Sequence, residues 1–276
     1  IVSSRNMPRM YYLTGGFKKL YVQLLSPDQA VALIQKLNFR PDRPEITNNF
    51  IAKLRSDYFT EHLPLSGIPL MLTIMLRVYA QHASIPSEMY ELYKRLFEVM
   101  EHEFDATKND YKRPKKSGLA DEDFRRILEE LGARLYEADM VSFTRDQLDR
   151  ALHTMEYVSD YSRRTGRTVN TDDFIHDMLY CLCLFTCERP GTFAMIHPSF
   201  REYFFASYLE RGADDNLVWA GKLIDSRGSK VTDDNALAML YAVRKNQVER
   251  YIFLPMLQEL FAHCEQNRSE EHTSEL

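Results

Sequence analysis

Two short apolar runs, Leu182 to Thr186 and Gly191 to Ile196, face each other across Cys187-Glu188-Arg189-Pro190. Elsewhere the hydrophobic residues recur at three- and four-residue spacing, the period of a helix with one buried face. A lone β-hairpin in a helical chain leaves few folds open, because two strands cannot bury enough surface by themselves and must lie against helices. Three helices are expected ahead of it. Phe124, Ile127, Leu128, Leu131 and Leu135 mark one face of the first, and Thr144-Arg145-Asp146-Gln147 is a capping box that starts the second. Asp172 to Cys181 reads as the third. Helix, helix, helix, hairpin is the outline of a winged helix. His197-Pro198-Ser199 then opens another helix, with Phe200, Tyr203, Phe204 and Tyr208 on one side, and Asp214 to Cys264 reads as three more.

Upstream, Ser26-Pro27-Asp28-Gln29 places an N-cap serine, a proline at the first helical position and a glutamine three after the cap, predicting a helix to about Asn38. A second helix, about Ile46 to Phe59, follows the proline-rich connector Arg40 to Pro44. A third, Leu70 to Gln81, is apolar almost all round and belongs in a core. From Met89 the positions Leu92, Tyr93, Leu96, Val99, Met100 and Phe104 give a long amphipathic helix after Ile85-Pro86. It runs toward the basic segment Lys108 to Lys116, which reads as a solvated linker and the best internal boundary. Ile1-Val2 and Leu20 to Leu25 are strand-like and predict a sheet edge over 1–25. The expected fold is therefore mainly α: a sheet remnant at 1–25, a helical domain at 26–116, a winged-helix domain with a hairpin wing at 117–210, and the start of a further helical domain at 211–267.

Composition narrows the function. The chain has 276 residues, enough for about two domains with their own cores, and 45% apolar with 27% charged residues fits an ordered globular protein. The longest apolar run, Ile68 to Ala80, is broken by Arg77 and falls short of the ~20 residues of a membrane span. A net charge of −5 gives no general pull toward nucleic acid. Four cysteines, three of them at 181, 183 and 187, suit free thiols in a reducing cytoplasm. Cys181, Cys183, Cys187 and His197 offer four soft ligands, but not at zinc-knuckle spacing, and no metal site is expected. Phosphate loop, nucleophile elbow and zinc-helix motifs are all absent, so no catalytic residue is expected. The opening on Ile1 suggests a piece of a longer polypeptide. The tail Arg268 to Leu276 resembles one reading frame of a sequencing adaptor and is left out of the fold reasoning.

Several segments, taken in chain order, resemble the C-terminal half of a NACHT-type nucleotide switch of the STAND class of NTPases. Ile1-Val2-Ser3-Ser4-Arg5 resembles the strand that ends in a sensor arginine. Ser66-Gly67-Ile68-Pro69-Leu70 is similar to the Gly-x-Pro segment beside adenine, and Ile85-Pro86 through Glu91-Leu92-Tyr93 to the helix that follows. Ile196-His197-Pro198-Ser199-Phe200-Arg201-Glu202-Tyr203 resembles the winged-helix signature whose histidine reaches the β-phosphate of ADP. The likeness covers roughly residues 1–210. It departs at Asn6, where a proline often follows the arginine, and at Arg201, where glutamine is common.

The resemblance implies that residues 1–25 are the edge of a P-loop NTPase sheet and residues 26–116 a lid that closes with the winged helix over ADP and opens on exchange for ATP. Nucleotide contacts would fall on Arg5, Gly67, Pro69 and His197. ATP or ADP with Mg would be held in the full-length protein and none by this stretch alone, which lacks the phosphate loop and so should hydrolyse nothing. Implied partners are the nucleotide, the chain's own P-loop domain and further copies of itself on activation, in cytoplasmic defence or stress signalling, with no membrane. The alternative is a winged-helix transcriptional regulator. Against it, the expected recognition helix carries Asp172, Asp173 and Asp177 and no Lys or Arg.

Overall fold

The computed structural model describes residues 23–63, 65–102, 115–228 and 234–274. Arg5, nearly all of the sheet edge expected at 1–25 and most of the basic segment at 108–116 lie outside the described residues.

The first helices follow their start signals. α1 is Pro27–Lys36, and its capping box is formed: Gln29 N donates to Ser26 Oγ at 3.3 Å and Ser26 N to Gln29 Oε1 at 3.0 Å. α2, Pro44–Lys53, is expected to reach Phe59 but opens into a wide turn, Leu54–Tyr58, in which Ser56 leaves helical geometry (φ −79°, ψ −173°). The Ser56 hydroxyl donates to Lys53 O at 2.6 Å, the local bond by which serine competes with helix continuation. α3, Pro69–His82, buries Met71, Leu72, Ile74, Met75, Leu76 and Val78 completely, as its apolar circumference predicts. α4, Met89–His102, lies against it and buries Tyr93, Leu96 and Phe97.

The hairpin region is a winged helix. α5 (Asp121–Glu137), β1 (Ser142–Thr144), α6 (Arg145–Thr154), α7 (Glu156–Thr165) and α8 (Thr171–His176) lead through a wide turn to β2 (Phe185–Arg189) and β3 (Thr192–Met195). The strands form one antiparallel sheet in the order β1-β3-β2, with Phe143 opposite Phe193 and Thr186 opposite Ala194. The turn is tighter than expected. It falls at Pro190-Gly191, with Gly191 at φ 75°, and the register shift between Cys187 and Arg189 is a bulge. β1 and α7 go beyond the expected elements, for physical reasons. Three residues are too few for alternation to show, and Met155 serves at once as C-cap of α6 and N-cap of α7, which leaves no loop between them.

α9 (Pro198–Arg211) is followed by α10 (Asp214–Ser226), α11 (Ala236–Val248), a wide turn and α12 (Leu254–Ser274). The expected one-sided face of α9 proves buried nearly all round, from Ser199 through Ser207 and again at Leu209, because α4, α5 and α11 all pack on it. α5 approaches most closely. A Cβ on Gly132 would lie 2.4 Å from Phe204 Cβ and 3.1 Å from backbone atoms of α9. Among the described residues the structure is thus mainly helical, with one small antiparallel sheet, and no helix is long and apolar enough to cross a membrane.

Candidate functional site

His197 stands where β3 passes into α9. The backbone N–H of Ile196 donates to Leu184 O at 2.7 Å, which holds the end of the hairpin, and His197 itself is extended (φ −145°, ψ 138°) as the N-cap of α9. Its Nδ1 accepts from Ser199 N at 3.2 Å and lies 2.9 Å from the Tyr93 hydroxyl. A backbone amide can only donate, so Nδ1 is the unprotonated nitrogen and the tyrosine hydroxyl donates to it as well. The ring proton therefore sits on Nε2. That atom is buried and has no hydrogen-bond partner among the described residues. Burial holds the imidazole down to about 4, so the ring is neutral at neutral pH.

Tyr93 reaches His197 from α4 across a ladder of rings. Tyr93 meets Phe200 edge-on at 4.9 Å, Tyr90 meets Tyr203 at 5.3 Å and Phe97 meets Phe204 edge-on at 5.1 Å. Offset and edge-to-face pairs of this kind fix the relative position of two helices beyond what buried area alone provides. Polar bonds flank the ladder. The Tyr90 hydroxyl donates to Glu210 at 2.6 Å, and Arg125 of α5 pairs with the buried Glu101 of α4 at 2.9 Å.

Gly67 and Pro69 have local structural duties. Gly67 O accepts from Leu25 N at 2.8 Å, and a side chain there would meet Leu24 Cβ at 3.0 Å, so the glycine permits the 23–26 segment to lie close. Pro69 is the first residue of α3 after the extended Ile68, a position where its missing N–H costs nothing. Beside them the Tyr58 and His62 rings meet at 4.1 Å with their planes tilted by 49°, and the Tyr58 hydroxyl and His62 Nδ1 are both buried without partners among the described residues. Burial lowers the His62 pKa. Pro69 and His197 are linked through α3, α4 and Tyr93, while Arg5 lies outside the described residues.

All four cysteines are free thiols. Cys187 Sγ donates to Arg189 O at 3.0 Å and His197 is engaged with Tyr93 and Ser199, so the quartet weighed from the sequence does not converge. Among the described residues the group of donors close enough to share a metal is His176, Asp177 and Cys181, within 4.8 Å of one another. Its carboxylate already accepts from Lys116 N at 2.8 Å and Ser117 N at 2.9 Å, a structural use that accounts for its burial. Burial raises the Asp177 carboxyl, but hydrogen bonds from Ser117, Lys116 and His176 outweigh it and leave the pKa lowered.

A cavity of about 420 Å³ lies at the junction of α4, α5 and α9, bordered by Tyr90, Lys94, Arg125, Tyr203, Glu210 and Arg211. Its cations face carboxylates already: Arg125 with Glu101, Arg211 with Glu129 at 3.4 Å, Lys94 with Glu91 at 3.7 Å.

Tyr93, Tyr58 and His62 are the residues that the sequence did not single out as polar. Tyr93 ends the Glu91-Leu92-Tyr93 segment, yet nothing in the sequence joins it to a histidine 104 positions away. No family model matches this chain, and no curated protein matches it.

Proposed function

We propose that the chain is part of an ATP/ADP-dependent signalling switch of the NACHT-type STAND class, in which the helices of 26–116 act as a lid and the winged helix carries the phosphate sensor. The observation that carries this reading is the Nε2–H of His197: a buried donor with no acceptor among the described residues, at the start of a helix, on a ring whose other nitrogen is fully used. A buried unpaired donor costs about 1–3 kcal/mol, which an incoming oxygen anion recovers. The N-terminus of a fourteen-residue helix adds a favourable field for that anion. The residues present therefore fit a phosphate group at this place. A nucleotide diphosphate, when bound, supplies the oxygen acceptors and the charge.

The chain's own groups do the rest. Ser199 N and the Tyr93 hydroxyl hold the imidazole, α9 fixes its position, and the ring ladder ties that position to the lid. Gly67 and Pro69 serve the lid by shaping the start of α3, with Arg5 as the remaining phosphate contact of the reading. The phosphate loop, the Mg ligands and any hydrolysis belong to the protein's P-loop domain. Assembly into oligomers and a cytoplasmic role in defence or stress signalling complete the proposal. The DNA-regulator alternative is weakened at α8, whose exposed Asp172 faces Arg145 through two bonds of 2.8 and 3.0 Å, and in the wide turn after it, where Asp177 anchors the linker. Such a surface offers little to a phosphate backbone.

The test uses the product of the complete reading frame and His197→Asn. Asparagine keeps the N-cap, since its side-chain oxygen accepts from Ser199 N, but is too short to replace Nε2. ADP affinity measured by calorimetry should fall about 10- to 150-fold, the loss of one buried hydrogen bond to a charged group. Unchanged affinity in a folded variant rejects the reading.

A further inference from the structure

We propose that Tyr93 is the positioning residue of this site: its hydroxyl, bonded to Nδ1, holds the His197 ring in the orientation that aims Nε2–H, so that the phosphate donor is set only while α4 is seated on α9. The inference rests on the switch reading for its ligand but on geometry for its substance. Nδ1 has one lone pair in the ring plane, and two donors converge on it, Ser199 N at 3.2 Å and the Tyr93 hydroxyl at 2.9 Å. The amide contact is the longer and belongs to α9 itself, so it travels with His197 wherever the winged helix goes. The hydroxyl contact is the shorter and comes from the other side of the seam. Moving a proton to Nδ1 would turn the Ser199 amide against it, whereas the phenol can accept as well as donate, so the amide sets the tautomer and the hydroxyl fixes the orientation of the ring.

The alternative for Tyr93 is plain packing. It is fully buried, and its ring stands edge-on to Phe200. Packing, however, needs only the ring, and phenylalanine supplies that. The hydroxyl is the part that a core position does not require, because a buried phenol is favourable only where it finds a partner. Here its partners are the Ser199 side chain and the one titratable ring at the head of α9. The arrangement makes lid position legible at the phosphate: with α4 withdrawn, His197 keeps its cap but loses the bond that stops the ring from turning.

Tyr93→Phe in the uniformly ¹⁵N-labelled 276-residue chain tests this directly, with the imidazole of His197 read by two-bond ¹H–¹⁵N correlation. In the unsubstituted chain the expected pattern is a protonated Nε2, an unprotonated Nδ1, and a slowly exchanging Tyr93 hydroxyl proton. In Tyr93→Phe the Nδ1 resonance should move as it loses a donor, and Nε2–H should exchange with water several-fold faster, while far-UV dichroism stays the same. In the complete gene product, ADP affinity should drop about 3- to 10-fold, equivalent to one neutral hydrogen bond. An Nδ1–H tautomer in the unsubstituted chain overturns the proposal, whether or not the variant folds. So does an unchanged Nδ1 resonance in the folded variant. If instead His197→Asn leaves ADP binding intact, the switch reading falls while the imidazole spectrum still decides the role of Tyr93.

Discussion

Below pH 6.5 an unfolded chain takes up a proton at His197, while the folded chain, with the ring held at about 4 by burial, does not. Between those values the unfolded state binds more protons, so stability must fall as pH falls. The contribution is fully present above 6.5, declines through the window and levels off below about 4, with a total on the order of 3 kcal/mol. His197→Asn removes the titration but keeps the cap. Urea unfolding midpoints measured at pH 7.0, 6.0 and 5.0 should therefore drop more steeply in the unsubstituted chain than in the variant, and parallel slopes would refute the assignment. At this scale the sequence was half legible. Histidine before proline and serine marks a helix start, and the cap is there. What it could not show is that the cap uses only Nδ1, because the second user of that nitrogen is Tyr93, far away in the chain.

α5 and α9 lie so close at Gly132 that a methyl group has no room, and the obstacle is backbone as well as the Phe204 side chain. Gly132→Ala gains about 1 kcal/mol in helix propensity. It must also push the two helices apart, at a cost of about 1–3 kcal/mol in overpacking, with loss of contact along a seam that includes the stacked pair Tyr136 and Phe205 at 4.1 Å. The net expectation is a lower melting temperature by calorimetry, and a rise would mean that the helices yield without strain. Most elements were readable because their signals are local: the capping boxes at Ser26 and Thr144 are formed as expected. The failures are those where local signals cannot suffice. α2 ends early because one serine bonds to Lys53 O, β1 exists only in register with β3, and α9 looks amphipathic although three helices cover it.

The helices of 26–102 and the winged helix meet along α4 and α9, and Asp177 fastens the linker between them by accepting from the backbone of Lys116 and Ser117. Asp177→Ala leaves both amides without their carboxylate, and a destabilisation of about 1–3 kcal/mol is expected. Hydrogen exchange distinguishes this from a general loosening: the Lys116 and Ser117 amides should lose protection while those of α9 keep theirs. Protection retained at both amides would show that the carboxylate does not hold the linker. The basic composition of 108–116 pointed to a boundary. It gave no hint that the boundary is fastened at one end by an acid from the wide turn after α8.

Beyond α9, Arg244 breaks helical geometry within α11 (φ −133°, ψ 43°) and donates to Leu209 O and Gly212 O, each at 2.9 Å, with Asp214 as its ion-pair partner. It thus ties the end of α9 and the start of α10 to the last turns of α11. From the next residue the chain stays helical through the wide turn and on past Asn267, the last residue before the adaptor-like tail, an arm of roughly 35 Å at 1.5 Å per residue. Such an arm multiplies whatever happens at its base: a tilt of about 10° carries its far end through about 6 Å. Arg244 is in that sense a fulcrum: its two bonds to the end of α9 are the point about which any such tilt of the arm would turn.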